Sequence, residues 1–406
     1  MSDTTSGSVQ GQRRHFLRDS LLLAGAVPAA LAGSLGQAIA GSSCQASRPV
    51  RIGVLGCGRR GLQLAKFALA AGPHFELTVL ADLFPDRVQQ LYRTLKGQFP
   101  DRVTVALASR LIGTESADLI AATDVDAVLL ATLPTCHARQ IQRLVDGGKH
   151  VYAENPVATD AMGLRKVQEA SRLAAEQNTC LQVGLQHRFQ DFYTQAVQQL
   201  HSGIIGTPVR AEVFVTRAQL PGSRSTAVQA ERLRDWRSDP GLGCALELES
   251  SVGSLDLIQW AIGCSPHDAI CEIGAGGLGS HDSVVNFRCP NGFTLRYHEI
   301  VKPGVRHQSR HLVYGSHGWC DLDRSKIFDK NDRLIWASGL QLPDSSAAME
   351  QFCCCLAQDI SQSRPTVQSG RVEGAFRATS TALLGQMARQ RAGQVVSSDE
   401  LVAGLA

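Results

Sequence analysis

Aromatic residues are scarce in this sequence: they make up 5% of its 406 residues, with five tyrosines and four tryptophans. A basic sheet studded with base-stacking rings is thereby excluded. A charge excess is missing too. Forty Lys and Arg stand against 37 Asp and Glu, a formal +3 with the signs interspersed. That balance offers no basic face to a phosphate backbone, and helix-turn-helix and zinc-knuckle patterns are also absent, so nucleic acid is not an expected partner. No apolar run reaches the 18 residues a membrane-spanning helix needs. The twelve cysteines contain no CxxC and no spaced set with histidine, so no metal site is expected. Repeats and low-complexity tracts are lacking, which excludes a solenoid.

What is present is ordinary: 44% hydrophobic and 19% charged residues, in a chain long enough for two cores. Residues 1–40 read as an address. "QRRHFLRD" sets Arg13 and Arg14 ahead of Phe16, Leu17 and Arg18, followed by the mild apolar run "LLLAGAVPAALAG" and the small-x-small triplet Ala38-Ile39-Ala40. This is the pattern of a signal peptide for export by the twin-arginine route, with a periplasmic destination and no stable membrane span once it is removed. The route carries folded proteins, so a cofactor held tightly before export is expected. All twelve cysteines follow the cleavage site. Cys353, Cys354 and Cys355 sit in an apolar helical stretch where packing is the expected role, and disulfides in an oxidising compartment stay open.

From Val50 short apolar strands alternate with amphipathic helices. "VRIGVL", "ELTVLA", "VDAVLLAT" and "KHVYAE" have strand character. Between them, "DRVQQLYRTL" places Val88, Leu91, Tyr92 and Leu95 on one helical stripe, and "HARQIQRLVDGG" buries Ala138, Ile141 and Val145. Such alternation predicts an α/β domain over residues 41–184, a doubly wound parallel Rossmann sheet. Between the first strand and first helix stands Gly56-Cys57-Gly58-Arg59-Arg60-Gly61. Its glycines permit a tight turn, close approach of backbone to a pyrophosphate, and close helix–strand packing. Asp82 ends the next strand, where a carboxylate accepts from ribose hydroxyls. A dinucleotide is predicted; Asp82 favours NAD, while Arg59, Arg60 and Arg87 leave NADP open. Two later strand-end loops complete the expected cofactor site: "ATLPTCHA" with Thr132, Pro134 and His137, and "YAENPVA" with Glu154 and Asn155. Taken alone, His137 reads equally as a solvent-facing residue at a helix start.

With these loops in place the chain resembles the glucose-fructose oxidoreductase / inositol dehydrogenase / MocA family (Gfo/Idh/MocA). "IGVLGCGRRG", "DAVLLATLPTCHA" and "GGKHVYAENPVAT" follow the order of that family's cofactor motifs, "LQVGLQHRF" its exit from the nucleotide domain, and "DWR…GLGCALELESSVGSLDLIQWAIG" its substrate-facing helix. The resemblance implies NAD(P)-linked hydride transfer on a sugar, polyol or related carbohydrate. It adds Gln186 to the cofactor residues and suggests Arg188, Trp236, Arg237 and Asp256 around the sugar. It departs at the chemistry. Asn155 stands where the family has its lysine and Gly253 where it has its histidine, with Glu249 and Ser251 altered nearby. An amide does not exchange a proton near neutral pH, and glycine has no side chain. Three readings follow: the proton is handled by His187, Tyr193 or Asp256; bound NAD serves redox-assisted glycoside cleavage; or nucleotide and sugar bind without turnover.

Residues 185–406 change pattern. A helix carries Phe192, Ala196 and Leu200 inward, "PVRAEVFVT" is a strand, and "SVVNFRCPNGFTLRYHEI" reads as a hairpin with a two-residue Asn291-Gly292 turn. This predicts an α+β domain with an open, mainly antiparallel sheet and helices on one face. By resemblance one of its last helices packs back toward the nucleotide domain, and the uncovered sheet face implies a homodimer or homotetramer.

Overall fold

A computed structural model describes residues 48–218, 229–239, 242, 244–272, 282–341, 346–362 and 370–403. The expected export segment, residues 1–40, lies outside the described residues. Strands β1 (Val50–Leu55), β2 (Phe75–Asp82), β3 (Arg110–Ile112), β4 (Ala127–Leu130), β5 (His150–Ala153) and β6 (Leu181–Val183) form one parallel sheet in the order β3-β2-β1-β4-β5-β6. Helices α1 (Arg59–Ala70), α2 (Pro85–Gln98), α3 (Ser116–Ala121), α4 (Pro134–Asp146) and α5 (Ala161–Glu176) connect them. Proline at the first position of α2 and α4 presets the helical φ where no donor is needed. Asp160 caps α5 by accepting from the Gly163 amide at 2.6 Å. Every residue of β4 is buried, as expected of a strand covered on both faces. Val88, Leu91 and Leu95 of α2 are buried, whereas Tyr92 is half-buried at the stripe's edge under the Arg110 guanidinium, 3.6 Å from its ring centroid. Strand order reverses between β1 and β4, opening the crevice where ligands of such sheets bind.

The second sheet has nine strands: β7 (Pro208–Ala218), β8 (Asp268–Cys271), β9 (Ser283–Arg288), β10 (Thr294–Lys302), β11 (Gln308–Gly315), β12 (Gly318–Asp321), β13 (Lys326–Asp329), β14 (Leu334–Ala337) and β15 (Val395–Ser397). Their order is β14-β13-β12-β11-β7-β10-β9-β8-β15, and every described pairing is antiparallel except β7 with β10. Helices α6 (Asp191–His201), α7 (Gln229–Arg234), α8 (Cys244–Ile262), α9 (Ala347–Gln362), α10 (Gly370–Gln390) and α11 (Ser398–Ala403) accompany it. Within this half α8 and α10 pack together, with the Gln259 amide donating to Thr381 Oγ1 at 2.5 Å. Helix α9 crosses to the first sheet: Met349, Phe352, Cys353 and Leu356 share one core with Ile52, Leu64 and Tyr152. The Phe352 ring meets Tyr152 edge-on at 5.6 Å, and Gln182 donates to the Ala348 carbonyl at 2.7 Å.

Two details differ from expectation. The β9–β10 connection is a three-residue loop, Pro290-Asn291-Gly292, because the Gly292 amide donates to the Cys289 carbonyl (3.0 Å) and the Cys289 amide to the Phe293 carbonyl (2.8 Å). Gly292 takes φ +82°, and proline ahead of the Asn-Gly pair suits this longer turn. Cys353 and Cys355 pack as buried free thiols, while Cys354 between them is disulfide-bonded.

Candidate active site

The glycine turn stands at the mouth of the β1/β4 crevice. Gly56 has φ +99°, and a Cβ there would lie 2.5 Å from the Ala131 carbonyl oxygen, so only glycine fits. A Cβ on Gly61 would collide with the Gly56 carbonyl, which fixes how closely α1 sits on the turn. Around a Cβ on Gly58, by contrast, no atom of the described residues lies within 4 Å. Gly58 is the N-cap of α1 and offers no side-chain cap, so the first amides of the helix face that open space. These residues fit a pyrophosphate. Arg59 is exposed at the same turn.

Asp82 is engaged within the fold. It is 6% exposed, accepts from the Cys57 amide at 2.6 Å and from the Phe84 amide at 2.9 Å, and so clamps the glycine turn to the end of β2. Just beyond it Arg87 and Arg234 stack on Phe84, 4.9 and 4.2 Å from the ring centroid, and Arg234 pairs with Asp86 at 2.7 Å.

Several expected cofactor residues are committed elsewhere. Arg60 forms an ion pair with Glu154 at 2.8 Å and donates to Gln63 at 2.6 Å, tying α1 to the loop after β5. Burial raises the Glu154 carboxyl, and Arg60 opposes that rise. His137 is not at the surface: at 1% exposure its ring nitrogens lie 2.8 Å from the Pro156 carbonyl and 3.1 Å from the Thr132 carbonyl. It fastens the two strand-end loops together, and burial lowers its pKa. Thr132 donates to Gln140, and Pro134 is buried as the first residue of α4. Gln186 is half-buried at the start of the turn spanning Gln186–Phe189.

Where the two sheets meet lies a cavity of about 500 Å³, lined from both halves. Asn155 comes from the loop after β5, His187 from the turn after β6, and Tyr193 from α6. Glu249, Ser250, Gly253 and Ser254 come from one face of α8; His307, Ser309 and Asp323 come from the region of β11 and the turn after β12. Its size suits a small ligand. The Asn155 amide donates to the Gly184 carbonyl at 3.2 Å.

His187 occupies the place toward which a side chain on Gly253 would point: a Cβ there would lie 3.8 Å from His187 Cε1. Its ring meets Tyr193 edge-on at 4.7 Å and His311 at 6.2 Å. Burial pushes the imidazole down to about 4, helped by His311 and opposed by Asp256, Asp323 and the Gly253 backbone. It is therefore a neutral imidazole at neutral pH. Behind it His311, 0% exposed, places Nδ1 3.0 Å from both oxygens of Asp323, whose carboxylate also accepts from the His311 amide at 2.5 Å. The His311 Nε2 has no hydrogen-bond partner among the described residues. The Tyr193 hydroxyl lies 3.5 Å from the same Asp323, and burial raises its pKa above the usual phenol value.

The remaining residues expected around a sugar are held in pairs. Asp256 is 1% exposed and holds Arg188 bidentately at 2.8 Å, and Arg188 also stacks on Trp260 and abuts Gly374. Each is spent on the other, inside the second core, and neither lines the cavity. Trp236 is 8% exposed and covered by the Arg237 guanidinium, 4.5 Å from its ring, while Arg237 pairs with Glu249 at 2.8 Å. Trp236 and Arg237 thus support the cavity wall through Glu249 without lining it. His307, Ser309, His311 and Asp323 were not anticipated. Residues 307, 309 and 311 are spaced by two, the strand period that turns side chains to one sheet face, and this spacing was the available signal.

The cradle at the reversal of strand order makes the first half of the chain a Rossmann nucleotide-binding domain. Residues 50–185 match the GFO_IDH_MocA oxidoreductase family, described as an NAD-binding Rossmann fold. Among curated relatives, the inositol 2-dehydrogenase/D-chiro-inositol 3-dehydrogenase of Shouchella clausii is 31% identical over 160 residues, 39% of this chain and 42% of that protein. Inositol 2-dehydrogenase 3 of Saccharopolyspora erythraea is 26% identical over 213 residues, 52% of this chain and 54% of that protein. The sequence match thus spans about half the length of these relatives. Among solved structures, scyllo-inositol dehydrogenase of Lactobacillus casei with bound NAD(H) and scyllo-inositol has a TM-score of 0.62 at 18% identity, covering 87% of this chain and all of that one. Over that span the described residues share its fold.

Proposed function

We propose that this protein is an NAD(P)-dependent oxidoreductase of the Gfo/Idh/MocA family that acts on a polyol or sugar, with His187 as its proton-handling group. The observation that carries this reading is one cavity joining Asn155, at the edge of the nucleotide cradle, to His187 and the second domain's polar cluster. The dinucleotide would lie with its pyrophosphate over Gly58 and the α1 amides, and supplies the group that accepts or gives up hydride at a carbinol carbon. The chain's own residues do the rest. Neutral His187 takes the hydroxyl proton as the carbon is oxidised; Asp323 stabilises the resulting imidazolium, with His311 and Tyr193 held in place by the same carboxylate. Asn155 orients without exchanging a proton. The relatives named as inositol dehydrogenases support a ring polyol as the substrate class.

The pair of carboxylates on the cavity, Glu249 and Asp323, favours a second reading, redox-assisted glycoside cleavage, which needs more than one proton-handling group. Aryl glycosides separate the two: release of the aryl alcohol without net reduction of nicotinamide supports cleavage. Export by the twin-arginine route to the periplasm is part of the proposal, supported by the Arg13-Arg14 pair, the apolar run after it and the Ala38-Ile39-Ala40 triplet. So is assembly into a homodimer or homotetramer, supported by the exposed Val209, Leu334 and Ile335 on the second sheet. The test of the central reading is His187→Ala. Turnover should drop about 100-fold or more with dinucleotide affinity kept; full activity would return the role to Tyr193 or Asp256.

A further inference from the structure

Away from the active-site cavity, Cys264 follows the end of α8 and Cys289 follows the end of β9. Their Sγ atoms are 3.0 Å apart, about 1 Å beyond the length of a disulfide bond. Both positions are fixed by backbone. Gly263 closes α8 with φ +70°, its amide donating to the Gln259 carbonyl at 2.9 Å, and Cys289 is held by its two hydrogen bonds across the Pro290-Asn291-Gly292 loop. Cys289 is 3% exposed, whereas Cys264 is only half-buried and so open to a reagent. The Cys289 thiol and the Asn291 side chain hold the Cys264 thiol below its ordinary pKa, against its own partial burial, which favours the thiolate that attacks.

We propose that Cys264 and Cys289 are a modification site that closes to a disulfide in an oxidising thiol–disulfide environment. The bridge joins the end of α8, the helix that carries Glu249 and Gly253, to the β9–β10 hairpin. The oxidant is a small-molecule disulfide or an exchanging protein disulfide. Cys264 thiolate attacks one of its sulfurs, forming a mixed disulfide and expelling one thiolate. Cys289 then loses its proton and attacks the Cys264 sulfur, expelling the second thiolate. Two cysteine thiols are oxidised by two electrons, one disulfide is reduced to two thiols, and nothing remains attached. The bridge closes a loop of about two dozen residues in the unfolded chain, so it raises thermal stability. It is independent of the proposed activity.

The test uses the full folded chain, reduced and then incubated with glutathione disulfide, quenched with N-ethylmaleimide and digested with trypsin. Cleavage after Arg237, Arg288 and Arg296 separates Cys264, in residues 238–288, from Cys289, in residues 289–296. The expected product is these two peptides joined, two hydrogens lighter than their sum and free of glutathione, with a melting midpoint higher than that of identically treated Cys264→Ser, in which the Cys354 disulfide re-forms as well. Residues 238–288 also contain Cys244 and Cys271, so fragment-ion sequencing of the joined peptides must put the link on Cys264, and Cys264→Ser must abolish it. Maleimide on both Cys264 and Cys289, glutathione retained on Cys264, or a link that survives Cys264→Ser would each overturn the proposal. Fragment-ion assignment keeps the test decisive even if Cys264→Ser fails to fold.

Discussion

Replacing His187 with glutamine should remove a specific part of the protein's acid sensitivity. In the folded chain burial holds the imidazole down to about 4, with His311 adding and Asp256, Asp323 and the Gly253 backbone opposing. Unfolded, the same ring binds a proton near pH 6.5. Between those values the unfolded state binds more protons than the folded state, so stability is fully present above the unfolded pKa and falls as pH drops. A depression of that size corresponds to about 2 kcal/mol lost by pH 5 and about 3 kcal/mol by pH 4, at 1.36 kcal/mol per pKa unit. Urea unfolding of wild type and His187→Gln at pH 7.5, 6 and 5 isolates the effect. His137, whose pKa burial also lowers, titrates in both proteins and cancels in the difference. The wild type should lose stability more steeply, and the two curves should converge as pH falls. A difference that stays constant with pH would mean that His187 is not a buried neutral base, and its proposed role would lose its physical basis.

Three further substitutions probe the scaffold. Gly58→Val places its side chain in open space, so the chain should fold normally yet lose the thermal shift given by NAD; an undiminished shift would count against the cradle. Gly61→Ala drives a methyl into the Gly56 carbonyl and should lower the melting midpoint markedly, and an unchanged midpoint would contradict the close helix–strand approach. Asp256→Asn leaves the Arg188 charge inside the second core without its counter-ion, which should cost about 3–5 kcal/mol in denaturant unfolding. A cost under 1 kcal/mol would put the pair back in contact with water.

The first domain was legible because its signals are local. Apolar runs of strand length, amphipathic helical stripes and glycines at the β1–α1 turn each act within a few residues, and the strands and helices they predict are present. The active-site cavity was legible only in part, since its wall is assembled from segments more than a hundred residues apart. Asn155 and His187 could be found from strand ends, but nothing local reveals that Asp323 turns back onto His311 and Tyr193. The same limit hid the pairing of Arg188 with Asp256, 68 residues apart, which appears only in three dimensions. The cover of Arg237 over the Trp236 ring is likewise a feature of the fold that the sequence does not display.

The most direct measurement is a single turnover. Excess purified chain is mixed with a limiting amount of NAD⁺ and a panel of inositols and aldoses, and reduced nicotinamide and carbonyl product are followed together. Reduced nicotinamide should form with at least one ring polyol, matched by an equal amount of ketone, and this should be lost in Gly58→Val. If the chain takes up no adenine dinucleotide, or binds it and forms no reduced nicotinamide with any polyol or sugar, the cradle and the cavity do not together make a redox enzyme.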